Sequence, residues 1–160
     1  MKKLGIIMKQ LLILIAAVFL LFAIRPGAAA CAEGQGGIRV VVKGLRSDHG
    51  RVGCSLYNHR DGFPQHEDKQ FRGMYAQKHQ GIAECNFLGV PSGTYAVTVL
   101  DDTNNNGKMD FNFLGLPKKG YGFSNDAPAT FSAPSFDAAS FKYNGNGTLI
   151  VTINIVYRIP

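Results

Sequence analysis

Residues 91–100 read PSGTYAVTVL. Pro91-Ser92-Gly93 is turn chemistry, because proline presets one backbone angle and glycine tolerates conformations closed to other residues. The seven residues that follow alternate, with Tyr95, Val97 and Val99 on one face, which is the period of a half-buried strand. Working outward, Ile82–Leu88 lies just before the turn as a second strand. Arg51–Tyr57 places Val52, Cys54 and Leu56 on one face, and Ile38–Leu45 is rich in β-branched residues (Ile38, Val40, Val41 and Val42). At the other end, Thr148–Tyr157 carries Leu149, Val151, Ile153 and Ile155 on one side and Ile150 and Val156 on the other, directly after the turn Asn144-Gly145-Asn146-Gly147. Phe131–Tyr143, with Phe131, Phe136, Phe141 and Tyr143, is predicted to add one or two strands, and Asp68–Lys78 is the one place for a short helix. Many short strands with Gly, Pro and Asn turns predict an all-β chain folded as a small antiparallel β-sandwich.

The N-terminus has a separate role. Lys2, Lys3 and Lys9 precede the uncharged apolar run Leu11–Ile24; Arg25-Pro26-Gly27 breaks it, and Ala28, Ala29, Ala30, Cys31 and Ala32 form a small-residue exit. These are the parts of a secretory signal peptide, expected over 1–32, with a single β-sandwich domain over 33–160. The apolar run is shorter than the roughly 20 residues of a spanning helix. The alternative at this end is a lipid anchor on Cys31, the one route besides the signal peptide by which the sequence suggests membrane attachment. The expected location is therefore periplasmic or secreted, or else lipid-anchored.

Removing the leader changes the electrostatics. Residues 1–30 hold four of the 17 basic residues and no acid, so the remainder carries 13 basic and 11 acidic residues, a net charge of +2. A nearly balanced domain without a basic stripe gives no footprint for nucleic acid. If cleavage removes Cys31, Cys54 and Cys85 remain as an even pair, and a disulfide between them is the expectation in an oxidising compartment.

From Leu100 to Asp126 the chain leaves the strand for one long Gly/Asn-rich loop, LDDTNNNGKMDFNFLGLPKKGYGFSND. Long loops in small domains commonly carry function. Asp102, Asn104, Asn106, Gly107 and Asp110 have the spacing of positions 1, 3, 5, 6 and 9 of a calcium loop, with the Lys108 carbonyl at position 7. Ca²⁺ takes six to eight hard oxygens, and alternate side chains of a tight loop converge on one point. The closing position holds Phe113 instead of a carboxylate, so the ring would need another ligand, such as Asp101, Asn112 or a remote acid. Affinity would then be on the order of 10⁻⁴–10⁻³ M. The competing reading is an Asx-rich turn that bonds only to itself. Tyr121, Phe123 and Ser124, further along, are candidates for the loop's surface or for packing beneath it.

The order PSGTYAVTVLDDTNNNGKMDFNFLGLPKKGYGFSND, together with GRVGCSLYN at 50–58 and CNF at 85–87, resembles the bacterial family known as domain of unknown function 2141, over residues 38–157. The resemblance implies an exported all-β domain of the immunoglobulin-like or transthyretin-like kind, and it brings no activity or catalytic set. PSGTYAVTV is also loosely similar to prealbumin-like modules attached to carboxypeptidases and outer-membrane receptors. The chain departs from the family pattern at Asp101, where a His is common, and at Lys118-Lys119, where an acidic residue is common. Both departures bear on whether the loop keeps a family-wide site.

The remaining residues name no reaction. His49, His59, His66 and His79 are scattered, and Ser124 stands in Gly-Phe-Ser-Asn-Asp, which is no nucleophile elbow. The reading is a non-enzymatic envelope module whose loop contacts an envelope protein, a glycan or Ca²⁺. The alternatives are a purely structural domain with a self-ordered loop, and a hydrolase in which two or more of Asp102, Asp110, His59, His66 and Ser124 converge.

Overall fold

A computed structural model describes residues 36–130 and 132–158. The expected signal peptide, with Cys31, lies outside the described residues. Eight strands follow in chain order: β1 (Gly37–Lys43), β2 (Arg51–Tyr57), β3 (Arg72–His79), β4 (Ile82–Leu88), β5 (Gly93–Asp102), β6 (Tyr121–Phe123), β7 (Phe141–Tyr143) and β8 (Thr148–Asn154). One short helix, α1 (Phe136–Ala139), precedes β7. The strands hydrogen-bond in the order β6-β5-β2-β3-β4-β1-β8, with β7 also paired to β5. The two ends meet where Tyr121 and Val156 exchange backbone bonds of 3.0 and 2.8 Å. The chain is all-β, as the alternating runs imply.

The alternation becomes a core. Ile38, Val40 and Val42 of β1, Val52, Cys54 and Leu56 of β2, Ala83, Cys85 and Phe87 of β4, and Tyr95, Val97 and Val99 of β5 are buried together with Ile153 of β8. Cys54 and Cys85 form the expected disulfide, with Cα atoms 6.5 Å apart. It joins β2 to β4, which β3 separates in the sheet order, and so ties non-neighbouring strands across the interior. The reverse face of β5 has its own smaller core: Ala96 packs with Tyr57, Phe123, Ala127, Phe136 and Ala139.

Two expectations need correction. Asp68–Lys78 is not helical: a single 3₁₀ turn at Glu67–Lys69 leads into β3. The inward positions of β3 are Met74, Ala76 and Lys78, and a buried lysine hides the alternation. Phe131–Tyr143 adds one strand, the three-residue β7, within the expected one or two; ahead of it Ser135 Oγ accepts a bond from Ala138 N–H at 3.2 Å and caps α1, and Phe136 covers the back of β5. The sheet is not wholly antiparallel either. β8 runs parallel to β1, Gly37 facing Thr148 and Lys43 facing Asn154. The turn before β8 delivers the chain beside the start of β1, where Gly37 N–H donates to Gly147 O at 2.9 Å.

Candidate functional site

β5 ends in two adjacent aspartates, both buried. Neighbouring residues of a strand point to opposite faces. Asp101 turns to Lys78 of β3, Oδ1 to Nζ at 2.5 Å, with the two side chains only 1 % and 0 % exposed. Its Oδ2 accepts a bond from the Tyr157 hydroxyl at 2.6 Å. Burial and this carboxylate push the Tyr157 hydroxyl up to about 12. Arg46 lies over the Tyr157 ring, 4.2 Å from its centroid.

Asp102 faces the loop. Its Oδ2 accepts from Gly107 N–H at 2.9 Å and from Arg51 Nε at 3.3 Å, and its Oδ1 accepts from Asn106 N–H at 3.2 Å. Gly107 has φ = 72°, a conformation that costs a glycine nothing, and Asn105 has φ = 58°. The five oxygen sources that the spacing singled out do converge on one point, and the Lys119 ammonium stands there. Lys119 Nζ lies 2.7 Å from Asp102 Oδ1, 2.5 Å from Asn104 Oδ1, 2.6 Å from Asn106 Oδ1 and 2.7 Å from the Lys108 carbonyl, with Asp110 Oδ2 at 3.4 Å. Asp110 closes the ring by accepting from Asn106 Nδ2 at 3.1 Å and Asn104 Nδ2 at 2.9 Å. An ammonium has three N–H donors. The ring offers it five oxygens, a number closer to the shell of a hard cation.

The other residues considered as ring ligands lie elsewhere. Asp101 is held by Lys78, and the Asn112 side chain accepts from Leu114 N–H and Leu116 N–H at 3.0 and 2.9 Å. Phe123 and Ser124, candidates for the loop's surface, are buried, and Tyr121 is half-buried. Phe123 sits in the small core behind β5 with Phe63, its ring centroid 6.2 Å away. Ser124 Oγ accepts from Val97 N–H at 2.9 Å and donates to the Ala139 carbonyl, tying β5 to α1. His59 and His66 are exposed, with His59 Nδ1 accepting from Asp61 N–H and His66 Nδ1 3.9 Å from Asp68. They belong to the 58–71 connection, whereas Asp102 and Asp110 belong to the ring. Among the described residues no group of three or more His, Cys, Asp and Glu side chains comes together.

Two features escaped the sequence reading. One is Lys119 itself, whose signal was the basic pair Lys118-Lys119 following an Asp/Asn-rich loop. The other is the tip beyond the ring, where Phe111, Phe113, Leu114 and Leu116 are all exposed. Its signal was four large apolar residues within six positions of a polar loop.

The ring has a pH signature. Burial opposes ionisation of Asp102, but the Lys119 ammonium, the Gly107 N–H and Arg51 outweigh it and hold the carboxyl below its ordinary value. Bonds from the Asn106 and Asn104 amides, with Lys119, hold Asp110 low as well, against a smaller opposing effect of desolvation. Folded-state values below the unfolded ones stabilise the fold above the ordinary carboxylate range, and that contribution disappears as pH falls through the lowered values. The unfolding midpoint should therefore drop as pH falls below about 4. Asp110→Asn should flatten that acid limb in scans between neutral pH and pH ~3. A limb of unchanged steepness would mean that Asp110 titrates as a free carboxylate.

Strands in this order, a cross-interior disulfide and an Asx ring at the end of β5 define an all-β domain with one structured loop. The chain belongs to a bacterial family described as "Uncharacterized protein conserved in bacteria (DUF2141)", whose model matches residues 40–151. No curated protein and no solved structure is significantly similar to it.

Proposed function

We propose that this chain is an exported, non-enzymatic binding module of the bacterial envelope, with the loop 103–118 as its contact surface. One observation carries the reading: the loop is ordered from within by the ring around Lys119, yet it holds a cluster of apolar side chains out in water. The Cys54–Cys85 bond suits an oxidising compartment, and the bacterial family and the leader-like N-terminus suit export. The Ser124 hydroxyl is engaged with backbone groups of β5 and α1, which argues against its use as a nucleophile.

On this reading Lys119 takes the part of the calcium ion, and Ca²⁺ could enter only by displacing it. A purely structural role is favoured by the same ring, which needs no ligand to order the loop, but that role leaves the tip without a purpose.

The test uses the full chain expressed in bacteria. The expected product is periplasmic, begins at Glu33 and has no free thiol; a diacylglyceryl mass on Cys31 would make it lipid-anchored. An uncleaved, reduced chain in the cytoplasm would overturn export. Its unfolding midpoint is expected to be the same in EDTA and in several millimolar Ca²⁺, since a ligand stabilises only what it binds. A calcium-dependent rise would replace the lysine reading with a calcium loop.

A further inference from the structure

We propose that residues 111–116, flanked by Lys108 and Lys118, form a tip that inserts into an anionic lipid surface and docks the domain there. The inference rests on the loop's being the contact surface and adds the chemistry of its partner.

Phe113 is 94 % exposed and Leu114 66 %, with Phe111 and Leu116 also exposed beside them. Single exposed apolar residues need no explanation, whereas a contiguous group marks an interaction site. The backbone of the tip is prepared for an apolar medium, in which unpaired N–H groups are costly. Asn112 N–H donates to the Leu116 carbonyl, Gly115 N–H to the Asn112 carbonyl and Lys118 N–H to the Asp110 carbonyl, at 2.9, 2.9 and 2.8 Å. The Asn112 side chain takes the N–H groups of Leu114 and Leu116. A bridge between Phe111 and Pro117 closes the base. The tip is thus a small, self-bonded hairpin whose large side chains point outward.

Charge selects the partner. No acidic residue occurs from 111 to 125, and the nearest, Asp110, is bonded to Asn104 and Asn106 beside Lys119. The exposed charges next to the tip are Lys108 and Lys118. Apolar side chains with lysines at their base suit the boundary between acyl chains and anionic headgroups. A protein partner would have to supply a matching pocket, whereas a bilayer accepts a convex tip as it is.

The chain contains no tryptophan, so Phe113→Trp makes a sole indole emitter at the apex. The full chain is expressed and recovered with whatever N-terminus the cell leaves on it, and is mixed with phosphatidylcholine vesicles with and without phosphatidylglycerol. Because emission reports the apex, attachment through the N-terminus does not by itself produce a signal. Ile150→Trp on β8, also at an exposed position, is the control. The expected result is a blue shift of the apical indole on anionic vesicles and none for the indole on β8. Lys108→Gln and Lys118→Gln should each weaken vesicle partitioning about fivefold. Phe111→Ser with Leu114→Ser, added to Phe113→Trp, should weaken it by about tenfold or more while leaving the unfolding midpoint in place. An apical spectrum already blue-shifted in buffer would sink the contact-surface reading itself. Emission that is exposed in buffer and unmoved by anionic vesicles would overturn the lipid proposal alone, and tip-directed crosslinking to an envelope protein would then name the other class of partner. Equal shifts at both positions would also overturn it, as general adsorption.

Discussion

Lys119→Met should cost about 3 kcal/mol of stability, lowering the unfolding midpoint by about 10 °C, and should create a response to calcium that the parent lacks. Removing one member of a buried ion pair leaves the other charged and desolvated, typically at a cost of about 3–5 kcal/mol. The low end applies because Arg51 still reaches Asp102 at 3.3 Å from a partly exposed position. The vacated ring keeps Asp102, Asp110, the side-chain oxygens of Asn104 and Asn106 and the Lys108 carbonyl, a set of hard oxygens with two formal negative charges. At an affinity on the order of 10⁻⁴–10⁻³ M, ~10 mM Ca²⁺ should return about 1.5–3 kcal/mol. Scans of parent and variant in EDTA and in calcium measure both effects. Adding Asp102→Asn should remove the calcium response and recover part of the lost stability, because no unpaired buried charge remains. A variant as stable as the parent, or equal calcium shifts in both, would show that the ammonium does not hold the ring.

The loop also shows where sequence reading stops. The spacing of Asp102, Asn104, Asn106, Lys108 and Asp110 is local information, and a tight Asx/Gly turn brings those oxygens together whatever fills the centre. What fills it comes from nine residues beyond Asp110, after the chain has made the tip and turned back. That return depends on bonds such as Lys118 N–H to Asp110 O, and on Asp101 N–H to Gly120 O at 2.8 Å, which no spacing rule encodes. The strands divide in the same way. β1, β2, β4, β5 and β8 alternate in hydrophobicity because one face of each meets the core, and this pattern survives in sequence. β3 does not, because its inward Lys78 is tolerated only through Asp101, a partner 23 residues away. The parallel pairing of β8 with β1 is invisible for a related reason: alternation shows which side chains face inward but not which neighbour a strand will choose.

Cys54→Ala with Cys85→Ala should lower stability by about 3.5 kcal/mol and the midpoint by about 10–15 °C. The bond closes a segment 31 residues apart in sequence, and in the chain-entropy account it acts by restricting the unfolded chain. That segment contains β3 and the 58–71 connection, the part of the sheet with the weakest apolar pattern. Without the cross-link, β2 and β4 communicate through β3, whose register with β4 extends over only two residue pairs, Lys78–Ala83 and His79–Ile82. The loss should therefore be largest here, and hydrogen exchange should report it as faster opening of β3 than of β1. Reduction of the wild-type chain should reproduce the variant's midpoint. A midpoint unmoved by either treatment would mean that packing alone holds β2 and β4 in place. The expected loss is a sizeable share of the ~5–15 kcal/mol that stabilises an ordinary domain. A chain retained in a reducing compartment would therefore be marginal, and the bond makes the fold secure where disulfides form.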